Sequence, residues 1–238
     1  MQNVATESLK KLPLVSIIIP VYNGSNFLGR AVDSALSQTY ANVEIIVVND
    51  GSQDDGKTKD IALSYGDKIR YIEKENGGVS SALNLGIENM RGEYFSWLSH
   101  DDEYEPEKIE KEVAEIIKYD GKVIVFCSDY HIDEDSLPIS PSADFGLKNG
   151  QLIKPDEMVI KLLKKNPVDG CTVLAPKSAF IDCGGFNEKH RYIQDIEEWI
   201  NFSLSGYSWK FSDYAGVRSR IHGKQLTLTG REVSFTDC

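Results

Sequence analysis

The sequence predicts an α/β fold, with a doubly wound and mostly parallel sheet in its first half. Short runs rich in β-branched apolar residues, such as residues 15–19 and 43–48, are typical of parallel strands buried on both faces. Stretches with apolar residues at helical spacing separate these runs. Because parallel neighbours in one sheet need right-handed crossovers, this alternation indicates helices packed on the sheet.

Five strands and four helices are predicted in this half. The strands cover residues 15–19, 43–48, 69–72, 93–98 and 123–127, and the helices cover 27–36, a stretch ending at about 65, 79–87 and 106–117. Pro106 begins the last helix, because proline is favourable at the first helical position.

The second half is predicted to be a smaller, mixed α+β part. Residues 133–152 form a long irregular segment, of the length usually found in lids and binding loops. The predicted elements after it are a helix near 157–165, a strand at 171–174, a helix at 196–204 and a pair of strands within 208–217.

The composition argues against several classes of protein. With 26 basic and 37 acidic residues the net charge is −11, whereas a nucleic-acid binder needs a basic stripe. The apolar runs are strand-sized, far below the roughly 20 residues that cross a bilayer, and no signal peptide is evident. The four cysteines lack a C-x-x-C pair and are expected to be reduced. We therefore expect a cytoplasmic protein, with peripheral membrane attachment and oligomeric state left open.

Polar residues follow each of the first four predicted strands. They are Tyr22 and Asn23 after the first, Asp50 after the second, Asn76 after the third, and Asp101 and Asp102 after the fourth. Each alone is an ordinary turn, and an isolated acidic pair more often caps the next helix in solvent. Parallel strands, however, end at one edge, where open α/β sheets bind ligands. An aromatic ring beside a carboxylate suits a nucleobase, and further carboxylates suit a divalent cation on a diphosphate.

The first turn limits which nucleotide site this edge can form. Residues 20–25 read P-V-Y-N-G-S instead of G-x-G-x-x-G, which disfavours NAD. A serine hydrolase is also disfavoured, because no G-x-S-x-G elbow is present.

Four motifs in this order resemble those of the inverting family 2 glycosyltransferases with the GT-A fold. They are V-S-I-I-I-P-V-Y-N at 15–23, V-N-D-G-S at 48–52, N-G-G-V-S-S-A-L-N-L-G-I at 76–87 and G-E-Y-F-S-W-L-S-H-D-D at 92–102. The resemblance spans roughly residues 14–225. It implies transfer of a sugar from a nucleotide-sugar donor, most often a UDP-sugar, to a hydroxyl of a glycan or lipid-linked saccharide. It also implies a Mg²⁺ or Mn²⁺ ion.

The resemblance assigns donor and metal residues. Nucleotide-sugar contacts fall on Pro20, Val21, Tyr22, Asp50, Asn84, His100 and Asp101. Asp101 matches the metal-binding carboxylate of the D-x-D motif, and His222, in an R-x-H stretch, matches a histidine that can bind the metal. Ser99 replaces the first carboxylate of that motif, and Asp102 either compensates as a ligand or only braces the loop.

The resemblance also assigns a catalytic base. Asp195 lies in Q-D-I-E-E-W, which is similar to the family's E-D-x-D/E-x-W motif, and follows the G-G-F turn at 184–186. A carboxylate can take the proton of an attacking hydroxyl, and a helix N-terminus favours its charged form. On the residues alone, Asp195 would more often be an ordinary first-turn helix residue.

Departures from the family motifs leave alternatives. Ser99, Leu83 and Gln194 stand where the family prefers Asp, Arg and Glu, which is compatible with a catalytically impaired nucleotide-sugar-binding protein. A nucleotidyltransferase on a related sheet is the other alternative, but the first turn lacks the glycines and basic residue it needs.

The resemblance divides the chain into functional parts. Residues 1–13 are expected to be frayed, 14–130 to form the nucleotide-sugar-binding half, 131–222 to form the acceptor-binding half of the same domain, and 223–238 to be a tail. The segment 133–152 and the tail are expected to act as lids that exclude water.

Overall fold

The computed structural model describes residues 12–119, 121–190 and 193–223, and its strands form a ten-stranded sheet. The strands are β1 (Val15–Val21), β2 (Val43–Asn49), β3 (Arg70–Glu73), β4 (Tyr94–Trp97), β5 (Glu103–Tyr104), β6 (Val123–Ile132), β7 (Pro138–Pro141), β8 (Leu152–Ile153), β9 (Val173–Pro176) and β10 (Ser208–Arg220). The α-helices are α1 (Leu28–Leu36), α2 (Lys57–Ser64), α3 (Val79–Asn89), α4 (Lys108–Ile116), α5 (Pro155–Lys164), α6 (Lys177–Cys183) and α7 (Gln194–Leu204).

The sheet has a parallel half and a mixed half. Strands β3, β2, β1 and β4 lie side by side in that order and pair in parallel. Strand β9 is antiparallel to β4 on one side and to β6 on the other. Strand β10 is parallel to β6 and antiparallel to β5. The predicted α/β class with a mostly parallel sheet is confirmed.

Burial explains the parallel half. All seven residues of β1 are buried, and successive side chains of a strand point to opposite faces, so both faces of β1 are covered. Helix α3 packs on β1 and β2, and α1 contacts the same two strands. Because the helices cover the faces of these strands, we expect ligands to approach at the carboxyl ends, where the predicted polar residues lie.

An aromatic cluster joins the second half to the sheet. Phe186, after α6, packs edge-on against Trp97 of β4 and Trp199 of α7, with ring centroids 5.9 and 6.0 Å apart. Trp199 also packs against Trp209 of β10, at 5.7 Å. The start of α7 is therefore held beside the end of β4.

Several predicted elements differ in the structure. The pair of strands expected within 208–217 is one strand, β10, whose pairing with β6 shifts register near Ala215. Strand β9 begins at Val173, because 170–172 form a 3-10 turn. The segment 133–152 contains β7, and α6 and β5 have no predicted counterpart. Residues 1–11 and 224–238 of the expected frayed segment and tail lie outside the described residues.

No helix among the described residues is long and apolar enough to cross a membrane.

The packing of α3 on β1 leads to a stability prediction. A Cβ at Gly86 would lie 2.5 Å from Ile18 Cγ2, and Ile18 is fully buried, so Gly86→Ala is expected to lower the free energy of unfolding by about 1–3 kcal/mol. Urea unfolding measures it. Gly29→Ala in α1 is the control: its Cβ would meet only Tyr65 Oη, at 3.6 Å, and we expect a gain of about 0.5 kcal/mol. Equal effects of the two substitutions would contradict this packing.

Candidate active site

The loops after β1 and β2 are bonded to each other. The Asn23 N–H donates to Ser52 Oγ at 2.9 Å, and the Gln53 N–H donates to Asn23 Oδ1 at 2.6 Å. Pro20 and Val21 are buried in β1, whereas Tyr22 is 43% exposed. Of the predicted nucleobase residues in this turn, Tyr22 is therefore the one whose side chain faces solvent.

Asp50 binds the loop that follows β3. Its carboxylate accepts hydrogen bonds from the Gly77 and Gly78 N–H groups at 2.9 and 2.8 Å, and from Lys74 Nζ at 2.9 Å. The Asn76 side chain donates to the Asp50 carbonyl at 2.9 Å. A crevice of about 550 Å³ lies beside these loops, lined by Gly51, Gln53, Glu73, Lys74, Glu75 and Asn76. The polar residues after the second and third strands are thus brought together.

Asp101 and His222 meet after β4. His222 Nε2 lies 3.0 Å from Asp101 Oδ2, although the two residues are 121 positions apart in the chain. The side chains are 8% and 17% exposed for His222 and Asp101. Two of the predicted metal residues are therefore in contact. Among the described residues, no group of three or more His, Cys, Asp or Glu side chains could hold a metal ion.

Asp102 is directed into the fold. Its Oδ1 accepts the Arg220 N–H at 2.8 Å, and the Cys171 thiol lies 3.4 Å from Oδ2. Burial, with the nearby charges of Asp101 and Asp169, raises the pKa of Asp102 well above its usual value. These contacts correspond to the bracing role, the second of the two roles considered for Asp102.

Ser99 contacts the same cysteine. The Ser99 N–H donates to Cys171 Sγ at 3.2 Å, and Ser99 Oγ lies 3.3 Å from that sulfur. Where the family prefers a metal-binding carboxylate, this chain therefore has a hydroxyl engaged with the interior.

Arg220 connects the Asp101 loop to the β6–β7 turn. Its guanidinium is fully buried and donates to the carbonyls of Asp101, at 2.8 Å, and Asp133, at 2.5 Å. It also pairs with the Glu103 carboxylate and lies over the Phe27 ring, 4.7 Å from its centroid. The Phe27 ring in turn packs against His222, at 5.1 Å. One side chain thus supports both members of the Asp101–His222 pair.

His100 packs on the first turn. A Cβ at Gly24 would overlap the His100 ring, so only glycine allows this approach. Burial lowers the pKa of His100, which keeps the imidazole neutral. This places His100 beside the turn that carries Tyr22.

Asn84 holds the G-G-F turn. The Phe186 N–H donates to Asn84 Oδ1 at 2.9 Å, and Asn84 Nδ2 donates to the Phe186 carbonyl at 2.9 Å and to Glu188 Oε1 at 2.9 Å. Gly185 has φ +85°, and a Cβ there would lie 2.8 Å from Asn84 Oδ1. The predicted donor residue Asn84 is therefore engaged with the turn that leads to Asp195.

Asp195 lies in the first turn of α7 and is half-buried. Burial raises the pKa of Asp195, so desolvation outweighs the helix N-terminus that was expected to favour the charged form. Desolvation by the surrounding protein, with the charges of Asp129 and Asp195, raises the pKa of Asp169 to about 7. Asp169 also acts electrostatically on Asp102, so it is a shared neighbour of Asp102 and Asp195.

The sequence did not indicate Asp169 or Cys171 as site residues. Cys171 lies in a 3-10 turn of three residues, and Asp169 directly precedes this turn. Three residues are too few to show periodicity. The only local signal is the Asp169-Gly170 pair, which is typical of any turn.

The chain is similar to known glycosyltransferases. A model described as Glycosyl transferase family 2 matches residues 16–184. An uncharacterized glycosyltransferase of Rickettsia typhi is 50% identical over 220 residues, which are 91% of this chain and 67% of the relative. An uncharacterized glycosyltransferase of Rickettsia felis is 47% identical over 222 residues, 90% of this chain and 35% of the relative.

Solved structures show the same fold. Staphylococcus aureus TarS in complex with UDP-GlcNAc superposes with a TM-score of 0.75 at 18% identity, over 91% of this chain and 61% of that chain. The fold is therefore that of a GT-A glycosyltransferase domain, as predicted. The chain belongs to glycosyl transferase family 2.

One buried carboxyl beside the site leads to a pH prediction. Glu198 is 1% exposed, and burial raises its pKa to about 7. The Asn201 amide favours the charged form without offsetting the burial. Between the pKa of Glu198 in the unfolded chain and about 7, the folded protein binds more protons than the unfolded chain does. The free energy of unfolding therefore falls as the pH rises through this window. Glu198→Gln is expected to raise the unfolding free energy at pH 8 by about 1–3 kcal/mol, with no gain below about pH 4.

Glu197→Gln on the same helix is the control. Hydrogen bonds from Asn187 and His190 lower the pKa of Glu197, so its substitution should cost stability at neutral pH. Urea unfolding at both pH values measures the difference. A pH-independent effect of Glu198→Gln would contradict the assignment.

Proposed function

We propose that this domain transfers a sugar from a UDP-sugar to a hydroxyl of a glycan or lipid-linked saccharide, with inversion and with a Mg²⁺ or Mn²⁺ ion. The observation that carries the proposal is the Asp101–His222 contact at 3.0 Å, at the carboxyl end of the parallel strands. Asp195 and Asp102, the residue after Asp101, both act electrostatically on Asp169, which supports assigning Asp195 to the same site.

The donor assignment rests on the first three loops. Tyr22 offers an exposed ring, and the loops around Asp50 border a crevice of about 550 Å³. The Asp50 carboxylate is held in place by two backbone N–H groups, and an ionised carboxylate has acceptor sites beyond the bonds it makes here. The TarS complexes with UDP and UDP-GlcNAc support a uridine donor for a domain of this fold.

The metal assignment rests on Asp101 and His222. A carboxylate oxygen and an imidazole nitrogen are both common ligands of divalent cations, and the pair leaves positions for diphosphate oxygens and water. The bound ion would neutralise the leaving diphosphate as a Lewis acid. Arg220 fixes the Asp101 carbonyl, and the Phe27 ring packs on His222, so both ligands have little freedom. Asp102, which binds the Arg220 N–H, is assigned to bracing.

The base assignment rests on Asp195. Its raised pKa makes it a stronger proton acceptor than an ordinary aspartate, and it lies at the start of a helix positioned by the G-G-F turn. An acceptor hydroxyl bound beside it would lose its proton as it attacks the sugar from the face opposite the diphosphate. In the wider assignment, 14–130 binds the donor and 131–222 the acceptor, with the segment 133–152 excluding water. A reduced, cytoplasmic location is part of this proposal, with acceptors reached at the membrane surface.

A donor screen with an Asp195 variant tests the function. We expect one UDP-sugar to raise the melting temperature with Mn²⁺ and to be hydrolysed slowly, and Asp195→Asn to lower turnover by at least about 10²-fold, because general-base catalysis contributes that much. Binding of UDP, measured by calorimetry, should change less than a few-fold.

Asp182→Asn is the matched control, because Asp182 lies on α6 and pairs with Lys122 on the surface. Full turnover in Asp195→Asn would remove Asp195 from its role. UDP binding without turnover of any nucleotide sugar would instead indicate the catalytically impaired binding protein.

An Asp101 variant tests the metal assignment. Asp101→Asn removes the charge that would bind the cation, so the gain in UDP affinity caused by Mn²⁺ is expected to fall at least about tenfold, equivalent to about 1.4 kcal/mol. Calorimetric titration of UDP with and without Mn²⁺ measures it. Asp60→Asn, a substitution on the exposed face of α2, should leave the Mn²⁺ effect unchanged. An unchanged effect in Asp101→Asn would contradict this assignment.

A further inference from the structure

We propose that Tyr104 is a positioning residue for the metal site, because its phenol joins the two ends of the loop that carries Asp101. This inference rests on the proposed function. It assigns a role to a side chain that touches neither the donor nor the ion.

The loop between β4 and β5 consists of residues 98–102. Tyr104, just after it, donates from its hydroxyl to the carbonyl of Trp97, the last residue of β4, at 2.5 Å. At the N-terminal end of this loop, the Leu98 N–H donates to the Ile18 carbonyl of β1 at 3.0 Å. The phenol therefore fixes the separation of the loop ends, which determines where Asp101 lies between them.

Buried polar groups orient the phenol. Lys108 is fully buried, and its Nζ donates to Ser96 Oγ at 3.2 Å and to Glu112 Oε2 at 2.7 Å. Ser96 Oγ is 2.8 Å from Tyr104 Oη. A lysine ammonium only donates, and the Tyr104 proton is directed to Trp97, so Ser96 is the donor in its 2.8 Å contact with Tyr104. The Val173 carbonyl is a more distant acceptor for the same Ser96 proton, at 3.2 Å. This defines a chain from Lys108 through Ser96 and Tyr104 to Trp97.

The backbone of Tyr104 links the loop to the strand that leads to His222. Tyr104 pairs with Val217 of β10, and its N–H donates to Ser34 Oγ of α1 at 3.0 Å. Strand β10 ends at Arg220, two residues before His222. Tyr104 is thus bonded both to the loop of Asp101 and to the strand of His222.

A site with two protein ligands is sensitive to their separation. Such constellations need their ligands held to within about 0.5 Å, by side chains that are themselves locked by packing. Tyr104 is 2% exposed, and Lys108 Nζ lies 4.4 Å from its ring centroid. The ring therefore has a fixed place, and removal of its hydroxyl alone should loosen the loop while the packing stays intact.

Tyr104→Phe tests the proposal. We expect the Mn²⁺-dependent gain in UDP affinity to fall about tenfold, while UDP binding without Mn²⁺ stays within twofold of the unsubstituted protein. Calorimetric titrations of UDP, with and without Mn²⁺, measure both. In turnover assays the fall should appear in kcat and in the Mn²⁺ concentration needed for half-maximal rate.

Tyr207→Phe is the matched control. Tyr207 is 1% exposed, and its hydroxyl donates to Asp182 Oδ2 at 3.0 Å, away from the Asp101 loop. Each variant loses one buried hydroxyl, so each should lower the melting temperature by about 2–4 °C, but only Tyr104→Phe should change the Mn²⁺ effect. Equal changes in the two variants, or a wild-type Mn²⁺ effect in Tyr104→Phe, would overturn the proposal.

A second variant, Ser96→Ala, tests the proposal if Tyr104→Phe does not fold. Ser96→Ala keeps the Tyr104 hydroxyl but removes the donor that orients it, and we expect a smaller loss of the Mn²⁺ effect, about threefold. No loss in Ser96→Ala would then overturn the proposal. If Mn²⁺ has no effect on UDP binding by the unsubstituted protein, the metal-dependent function fails; a normal Mn²⁺ effect that Tyr104→Phe leaves intact rejects only the positioning role.

Discussion

The burial of one guanidinium constrains the geometry of the site. Arg220 is fully buried, and a buried charge is costly unless it is paired and hydrogen-bonded. Its donors bind the Asp101 and Asp133 carbonyls and the Glu103 carboxylate, so residues 101–103 and the β6–β7 turn must come together around it. The same residue's backbone N–H binds Asp102. The loop of residues 98–102, strand β5 and the β6–β7 turn therefore depend on one side chain.

The loop beside Asp50 is held by backbone N–H groups instead. Asp50 binds two consecutive N–H groups of the loop after β3, and hydrogen bonds to a charged acceptor are stronger than neutral ones. The neutral Asn84 amide holds the G-G-F turn instead by accepting from the Phe186 N–H and donating to the Phe186 carbonyl. In both places a short polar side chain at a strand end or on a helix determines the path of a loop from another part of the chain. In this family-2 glycosyltransferase domain, the positions of both loops are thus determined by part-buried polar contacts.

Most of the parallel half could be predicted from the sequence, because strands covered on both faces need continuous β-branched runs such as 15–19. Helix α6 and strand β5 could not, since seven and two residues are too few to show a period. The break expected within β10 is a shift of register near Ala215 and not a turn, which depends on the pairing with β6. Asp169 was missed for the same reason, because its setting depends on neighbours distant in the chain.

The sequence by itself determined that polar residues end the buried strands at one edge of the sheet, and its motifs indicated Asp101, His222 and Asp195. It could not decide between two roles for Asp102. In the tertiary structure Asp101 faces His222, whereas Asp102 faces the Arg220 N–H and the Cys171 thiol. Adjacent residues in a turn point in different directions, and their partners lie 69 to 121 positions away, so only the folded chain assigns each carboxylate its contacts.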